Sequence, residues 1–301
     1  MALEKAYSNE YQEVINAELA YELFWAGVIK NKSDFQCPSD VCSAKVTCIN
    51  LDSEKQNMLQ IPHFRGYRHA KDCEVVSGNS TKELTGENQD REVAPDVFCL
   101  TRPEKQLTQK TISKLNHKEK VFDNTTSTKQ TNNTSINRSA YYYSVRSIVN
   151  QYLRYRKEDS LGNNSINIAK QAITYQALFK GVFKQPLEKL PNTGLIYWGV
   201  AFINYLADIQ CYKVTFKEPL TTQGNMIKPS LFISQQAIDA YPMKNLLLKR
   251  LQTVSALKDK RAFVFVYGKP AAKSEKYINF EINNLDFLEI RYLDLFDELK
   301  K

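Results

Sequence analysis

The chain has 301 residues and a formal net charge of +8, with 43% hydrophobic and 11% aromatic residues, which is typical of a globular protein large enough for two domains. No run of about 18 apolar residues occurs, which excludes a membrane-spanning helix. The N-terminal residues are charged and lack an apolar segment, so we expect no secretion signal and a cytoplasmic location.

An amphipathic helix is predicted over residues 10–29. Its apolar residues recur at intervals of three and four, as Val14, Ala17, Tyr21, Phe24 and Val28. We expect this stripe to pack on the segment that follows, because that segment is too small to bury much apolar surface alone.

Residues 35–73 hold four of the six cysteines and two of the three histidines. Cys37 and Cys42 bracket a short loop. His69 and Cys73 are four residues apart, a spacing that places two side chains on one face of a helix. Structural zinc sites use four cysteine or histidine ligands in a tetrahedral arrangement. We therefore predict that Cys37, Cys42, His69 and Cys73 bind Zn²⁺ as a non-catalytic, structural ion.

Two other residues of this stretch are open to a different interpretation. His63 is the alternate ligand. Cys48 lies in a strand predicted over residues 44–51, which pairs with residues 59–64, and is more typical of a packed thiol. Scattered reduced cysteines, a disulfide and a catalytic zinc ion are the alternatives to a structural site. A catalytic ion needs three protein ligands and an open position, and no known motif surrounds the nearby carboxylates.

These motifs resemble the zinc-ribbon region of competence protein CoiA-like bacterial proteins, in which a Cys pair precedes a hairpin, a His-Phe dipeptide and a final His and Cys. The matching residues are Cys37, Cys42, His63, Phe64, His69 and Cys73. The resemblance covers about a quarter of the chain. It implies a zinc module and, in the enzymatic members, a nuclease core with an acidic-acidic-lysine signature. The resemblance therefore makes a metal-dependent nuclease an alternative function, although residues 213–218 carry these residue types in another order.

Residues 77–140 are polar and almost without periodicity, which is typical of a linker. Within them, residues 93–100 indicate a short packed segment. A helical pair is predicted next, with its second helix at about residues 166–180.

Arginines and tyrosines alternate along the first helix of this pair. Arg146, Arg154 and Arg156 could hold phosphates while neighbouring tyrosines stack on bases. The alternative is an aromatic core face with a solvated, charged rim.

The C-terminal part is predicted to contain three strands, a helix and two further strands. The strands cover residues 194–206, 211–216, 228–234, 261–267 and 277–282, and the helix covers residues 241–257. This order is typical of an OB-fold barrel, and an unrelated α+β sheet with one helix is the alternative.

OB-folds bind single strands on one sheet face and its neighbouring loops. The residues that we predict to contact nucleic acid there are Trp198, Tyr212, Lys213, Lys217, Lys269 and Lys273.

The sequence thus predicts an α+β protein in four segments: a helix with a zinc ribbon (1–76), a polar linker (77–140), a basic helical segment (141–191) and an OB-like five-stranded β-barrel (192–301). Their net charges are −3, +2, +5 and +4. The downstream basic excess favours a phosphate-rich partner, although a lysine-rich surface also explains it.

We expect a modular zinc-containing protein that binds nucleic acid, with single-stranded or junction DNA favoured. No Walker loop, dinucleotide fingerprint or Gly-x-Ser-x-Gly motif occurs, so the sequence favours a binding protein over an enzyme. A protein-interaction subunit of a bacterial mobile-element or phage-defence complex is the third possibility.

Overall fold

The computed structural model describes residues 2–55, 61–75, 95–102, 141–191 and 194–294. These residues form a mixed α+β fold with four β-sheets. None of the helices in the described ranges is long and apolar enough to span a membrane.

The N-terminal part is an antiparallel six-stranded sheet with one helix against its inner face. Its elements are β1 (Ala2–Leu3), β2 (Lys5–Ser8), β3 (Glu13–Asn16), α1 (Ala17–Trp25), β4 (Phe35–Gln36), β5 (Lys45–Ile49) and β6 (His63–Gly66). The strands lie in the order β1-β6-β5-β4-β2-β3. Burial alternates along β5 and β6, so one face of the sheet is core and the other is open.

The prediction of one helix over residues 10–29 is wrong for its first part. Residues 13–16 form β3, which pairs with β2. Helix α1 begins after Asn16, whose side chain accepts a hydrogen bond of 2.8 Å from the amide of Leu19 and so caps the helix. Val14, the first residue of the predicted stripe, is 49% exposed. The helix ends before Gly27, which adopts a positive φ of 77°.

The middle of the chain forms a four-stranded sheet and the longer helix α2. The elements are β7 (Asp96–Phe98), β8 (Tyr141–Tyr142), α2 (Val145–Lys157), β9 (Ser165–Ile168), β10 (Gln171–Thr174) and the single-turn helix α3 (Tyr175–Leu178). The sheet order is β10-β9-β7-β8. Strand β7 is the short packed segment predicted within residues 93–100, whereas most of the predicted linker lies outside the described residues.

The prediction of a second helix in this pair is wrong. Residues 165–174 form an antiparallel hairpin instead, in which Ile168 pairs with Gln171. Ala169 and Lys170 make the turn with positive φ angles of 48° and 68°. Two consecutive positive φ angles match the twist of the flanking strands and favour a two-residue hairpin loop.

The C-terminal part is built around an open sheet. Its elements are β11 (Phe179–Gly181), β12 (Leu195–Leu206), β13 (Cys211–Phe216), β14 (Leu220–Thr222), β15 (Asn225–Ile227), β16 (Ser230–Ser234), α4 (Gln235–Ala240), α5 (Lys244–Ala256), β17 (Arg261–Gly268), β18 (Pro270–Ser274), β19 (Tyr277–Phe280) and β20 (Leu288–Arg291). All five predicted strands and the helix between the third and fourth are present.

The prediction of an OB-like barrel is nevertheless wrong, since none of the sheets in the described part of the chain closes into a barrel. The large sheet runs in the order β18-β19-β16-β13-β12-β17-β20, and β11 pairs with β12 in parallel. β20 pairs antiparallel with β17 and extends the sheet at that edge. β14 and β15 form a separate hairpin.

The N-terminal and C-terminal parts are in direct contact. Met243 and Leu246 belong to the apolar core of the N-terminal part, where they pack with residues such as Phe35, Val46 and Phe64. Because these side chains are buried by their neighbours from a distant part of the chain, each part contributes to the stability of the other.

A buried ion-pair network lies beside this contact. Arg102 pairs with Glu22 of α1 at 2.5 Å and with Asp286 at 2.9 Å. Arg146 of α2 pairs with Glu18 at 2.9 Å and with Glu22 at 3.4 Å. Buried charges require such partners, because an unpaired charge in the interior is strongly destabilising.

Candidate metal centre

Cys37, Cys42, His69 and Cys73 come together at one end of the N-terminal sheet. Cys37 and Cys42 lie in the loop between β4 and β5, and His69 and Cys73 lie in the segment after β6. Their ligand atoms are all within 4.8 Å of one another. The structure therefore brings together the four residues that the sequence analysis predicted as ligands, and they could bind a metal ion.

Three of the distances between the ligand atoms are close to those of a tetrahedral site. Cys37 Sγ lies 3.6 Å from Cys73 Sγ, and His69 Nδ1 lies 3.5 Å from Cys42 Sγ and 3.6 Å from Cys73 Sγ. Tetrahedral bonds of zinc to sulfur and nitrogen would separate two sulfurs by about 3.8 Å, and a sulfur from a nitrogen by about 3.6 Å. These three distances are therefore compatible with a bound metal ion.

The pKa values of two of the thiols are shifted in opposite directions. Burial raises the pKa of Cys42, but hydrogen bonds from the amides of Ala70 and Ala44, with Cys73 and His69 nearby, lower it to about 6. Burial raises the pKa of Cys37 to about 12. A cysteine that binds a metal must be a thiolate. Metal binding therefore releases protons and weakens as the pH falls.

Gly66, the last residue of β6, permits the approach of His69. A Cβ atom at this position would lie 2.3 Å from His69 Nε2, which no real contact allows. Any side chain here would displace the imidazole from the cluster. Sequence reasoning did not single out Gly66, and its only signal was its position three residues before a predicted ligand.

His63 and Cys48 lie outside the cluster. His63 Nδ1 is 3.1 Å from the carbonyl of Ile61. Cys48 is fully buried in the apolar core of the N-terminal part, and this burial raises its pKa well above the usual range. The cluster supplies four protein ligands and includes no carboxylate, which is typical of structural sites rather than catalytic ones.

The residues predicted to contact nucleic acid lie on several elements and differ in exposure. The exposed residues are Arg154, Lys217, Lys269 and Lys273. The half-buried residues are Arg156, Trp198 and Lys213, and the buried residues are Arg146 and Tyr212. Arg154 lies 4.9 Å from the ring of Tyr155, and Lys273 pairs with Glu281.

Arg146, Tyr212 and Trp198 do not fit the surface role expected of them. Arg146 is 2% exposed and pairs with the buried Glu22 and the half-buried Glu18. Tyr212 is 5% exposed, and the ring of Trp198 lies 6.2 Å from those of Phe263 and Phe265. The arginine is buried because acidic residues of α1 face it. Tyr212 is buried on a central strand of the sheet, whereas Trp198 is half-buried.

Lys213 has an exposed aromatic neighbour. Its ammonium lies 5.6 Å from the ring of Phe232, which is 46% exposed on the adjacent strand. Tyr212 points to the opposite face of the sheet, since successive residues of a strand alternate.

Comparison with protein-family models, with curated proteins and with solved structures found no match to this chain.

Proposed function

We propose that this protein binds nucleic acid and that a Zn²⁺ ion, held by Cys37, Cys42, His69 and Cys73, stabilises its N-terminal part without taking part in catalysis. The observation that carries the zinc site is the close approach of three thiols and one imidazole, whose ligand atoms lie within 4.8 Å of one another. Sulfur-rich tetrahedral sites favour zinc over the oxygen-seeking cations calcium and magnesium.

The net charge of +8 supports an anionic partner. The exposed lysines can reach phosphates, whereas Glu22 and Asp286 are buried against arginines and add little negative potential to the surface. Exposed aromatic rings beside lysines, as at Lys213 and Phe232, favour single strands, whose bases are free to stack.

The zinc ion is tested by its stoichiometry. We expect purified protein to contain about one zinc per chain, because four protein ligands close a structural site. Cys42→Ser and Cys73→Ser should lose the metal. Inductively coupled plasma mass spectrometry measures the zinc content of each protein. Cys99→Ser, a cysteine outside the cluster, is the matched control. Equal zinc content in all four proteins would refute the ligand assignment.

Nucleic-acid binding is tested by fluorescence anisotropy with zinc-loaded protein. We expect a labelled single strand to bind more tightly than the matching duplex, and the affinity to fall steeply with salt as counterions are released. Failure to bind either one at low salt would exclude this function and favour a protein partner. Cleavage of the probe with added Mg²⁺ would instead favour the nuclease.

A further inference from the structure

The open face of the N-terminal sheet carries basic and aromatic side chains. We call it the outer face and define it by Lys5, Tyr7, Gln36, Lys45, Arg65 and Tyr67. None of these side chains belongs to the apolar core of the N-terminal part. All are exposed except Tyr7, which is half-buried.

The strand register places these residues side by side. Tyr7 pairs with Gln36, and Gln36 pairs with Lys45. The ladder continues to Tyr67, whose amide donates a 3.3 Å hydrogen bond to the carbonyl of Lys45. Three strand spacings therefore separate the two tyrosines, a distance of about 14 Å.

Each tyrosine has a cation beside it on the same face. Lys5 lies two residues before Tyr7, and Arg65 lies two residues before Tyr67, so strand alternation puts each pair on one side of the sheet. Lys45 lies between the two pairs. The paired strand positions of this face that the structure describes carry no carboxylate. Asp34, which precedes β4, accepts a 2.7 Å hydrogen bond from Asn9.

We propose that the outer face binds single-stranded nucleic acid, with Tyr7 and Tyr67 stacking on bases and Lys5, Lys45 and Arg65 contacting phosphates. This inference rests on the proposed function and assigns it a surface. Three cations, with no carboxylate at the described paired strand positions of this face, provide the complementarity to a phosphate chain. Separated aromatic rings on an open sheet are the means by which such surfaces bind unpaired bases.

The metal centre gives this surface a second line of support. Cys37 directly follows Gln36, and His69 lies two residues after Tyr67. A metal ion held by Cys37 and His69 would therefore fix the backbone at two places in the row, beside Gln36 and beside Tyr67. Removing the metal should weaken nucleic-acid binding even though no ligand contacts the strand.

The experiment compares two double variants that remove the same charge. Lys45→Ala with Arg65→Ala should bind a labelled single strand at least tenfold more weakly than the wild type. Its log–log salt slope should be smaller by about 1.4, since each phosphate that a protein neutralises on a single strand adds about 0.7 to the slope. Lys258→Ala with Lys276→Ala, which changes two exposed lysines outside the residues predicted to contact nucleic acid, should bind within twofold of the wild type. Zinc content serves as the check that each variant has folded.

The stacking role is tested at Tyr67, which is 52% exposed. Tyr67→Ala should lose about fivefold or more of its single-strand affinity, whereas Tyr67→Phe should retain it, because stacking requires the ring and not the hydroxyl. Wild-type affinity in the Lys45 and Arg65 variant would overturn the assignment of this surface but leave the proposed function standing. A wild-type protein that binds no nucleic acid would overturn both.

Discussion

At the scale of single residues, the protonation of Glu22 depends on its partners. Its carboxylate is paired with Arg102 and Arg146 and accepts a 2.7 Å hydrogen bond from the hydroxyl of Ser144. Burial raises the pKa of Glu22, but the two arginines lower it to about 2. A carboxylate with a lowered pKa stabilises the fold above its unfolded pKa, and that contribution is lost as the pH falls towards the folded pKa.

We therefore expect the free energy of unfolding to decrease between about pH 5 and pH 2, with Glu22 contributing on the order of 3 kcal/mol to the change. Glu22→Gln cannot gain this proton, so its unfolding free energy should depend less on pH over the same range. Urea titrations at a series of pH values measure this, with Glu275→Gln as an exposed control. Parallel curves for wild type and Glu22→Gln would contradict the assignment.

At the scale of elements, the start of α1 depends on one side chain. Asn16 ends β3 and caps the helix that carries Glu18 and Glu22. Asn16→Ala should destabilise the protein by about 1 kcal/mol, because an amide of the first turn loses its acceptor. Asn16→Ser should recover most of this loss. Urea unfolding of zinc-loaded protein measures both, and an unchanged midpoint for Asn16→Ala would exclude a capping role.

The hairpin β9–β10 illustrates an ambiguity of sequence patterns. Ile168, Ala172 and Tyr175 fit the three-to-four spacing of a helix, while Ile166 and Ile168 also fit the alternation of a strand. The turn that decides between them is formed by Ala169 and Lys170, which carry none of the glycine or asparagine signal of such turns. Pairing of β9 with β7 stabilises the hairpin, and this partner is distant in the sequence.

At the scale of the whole molecule, Arg102 joins three parts of the chain. It pairs with Glu22 of α1 and with Asp286, which precedes β20. Its side chain is 9% exposed, so removing it would leave two buried carboxylates without this partner.

Arg102→Ala should therefore lower the free energy of unfolding by about 3–5 kcal/mol. Arg261→Ala is the control, since its ion pair with Asp259 is 40% and 42% exposed and should contribute at most about 1 kcal/mol. Chemical denaturation followed by circular dichroism measures both. A similar small loss in the two variants would show that the buried network is not a source of stability.

The sequence by itself determined the candidate metal ligands and most of the C-terminal elements. Ligand pairs such as Cys37 and Cys42 are close in the chain, so their spacing alone predicts that they can meet. Strong apolar runs likewise predicted β12, β13 and α5, because local periodicity reflects local structure.

Only the tertiary structure decided which strands pair and which side chains are buried. The edge position of β20 on β17 leaves the sheet open, and Glu18 and Glu22 bury Arg146 although its sequence context resembles a basic surface. The outer face could not be predicted from the sequence for the same reason, because its residues come from four separated strands. In addition, the first 76 residues have a net charge of −3, which does not indicate a basic surface. Pairing and burial depend on contacts between residues far apart in the chain, which no local pattern contains.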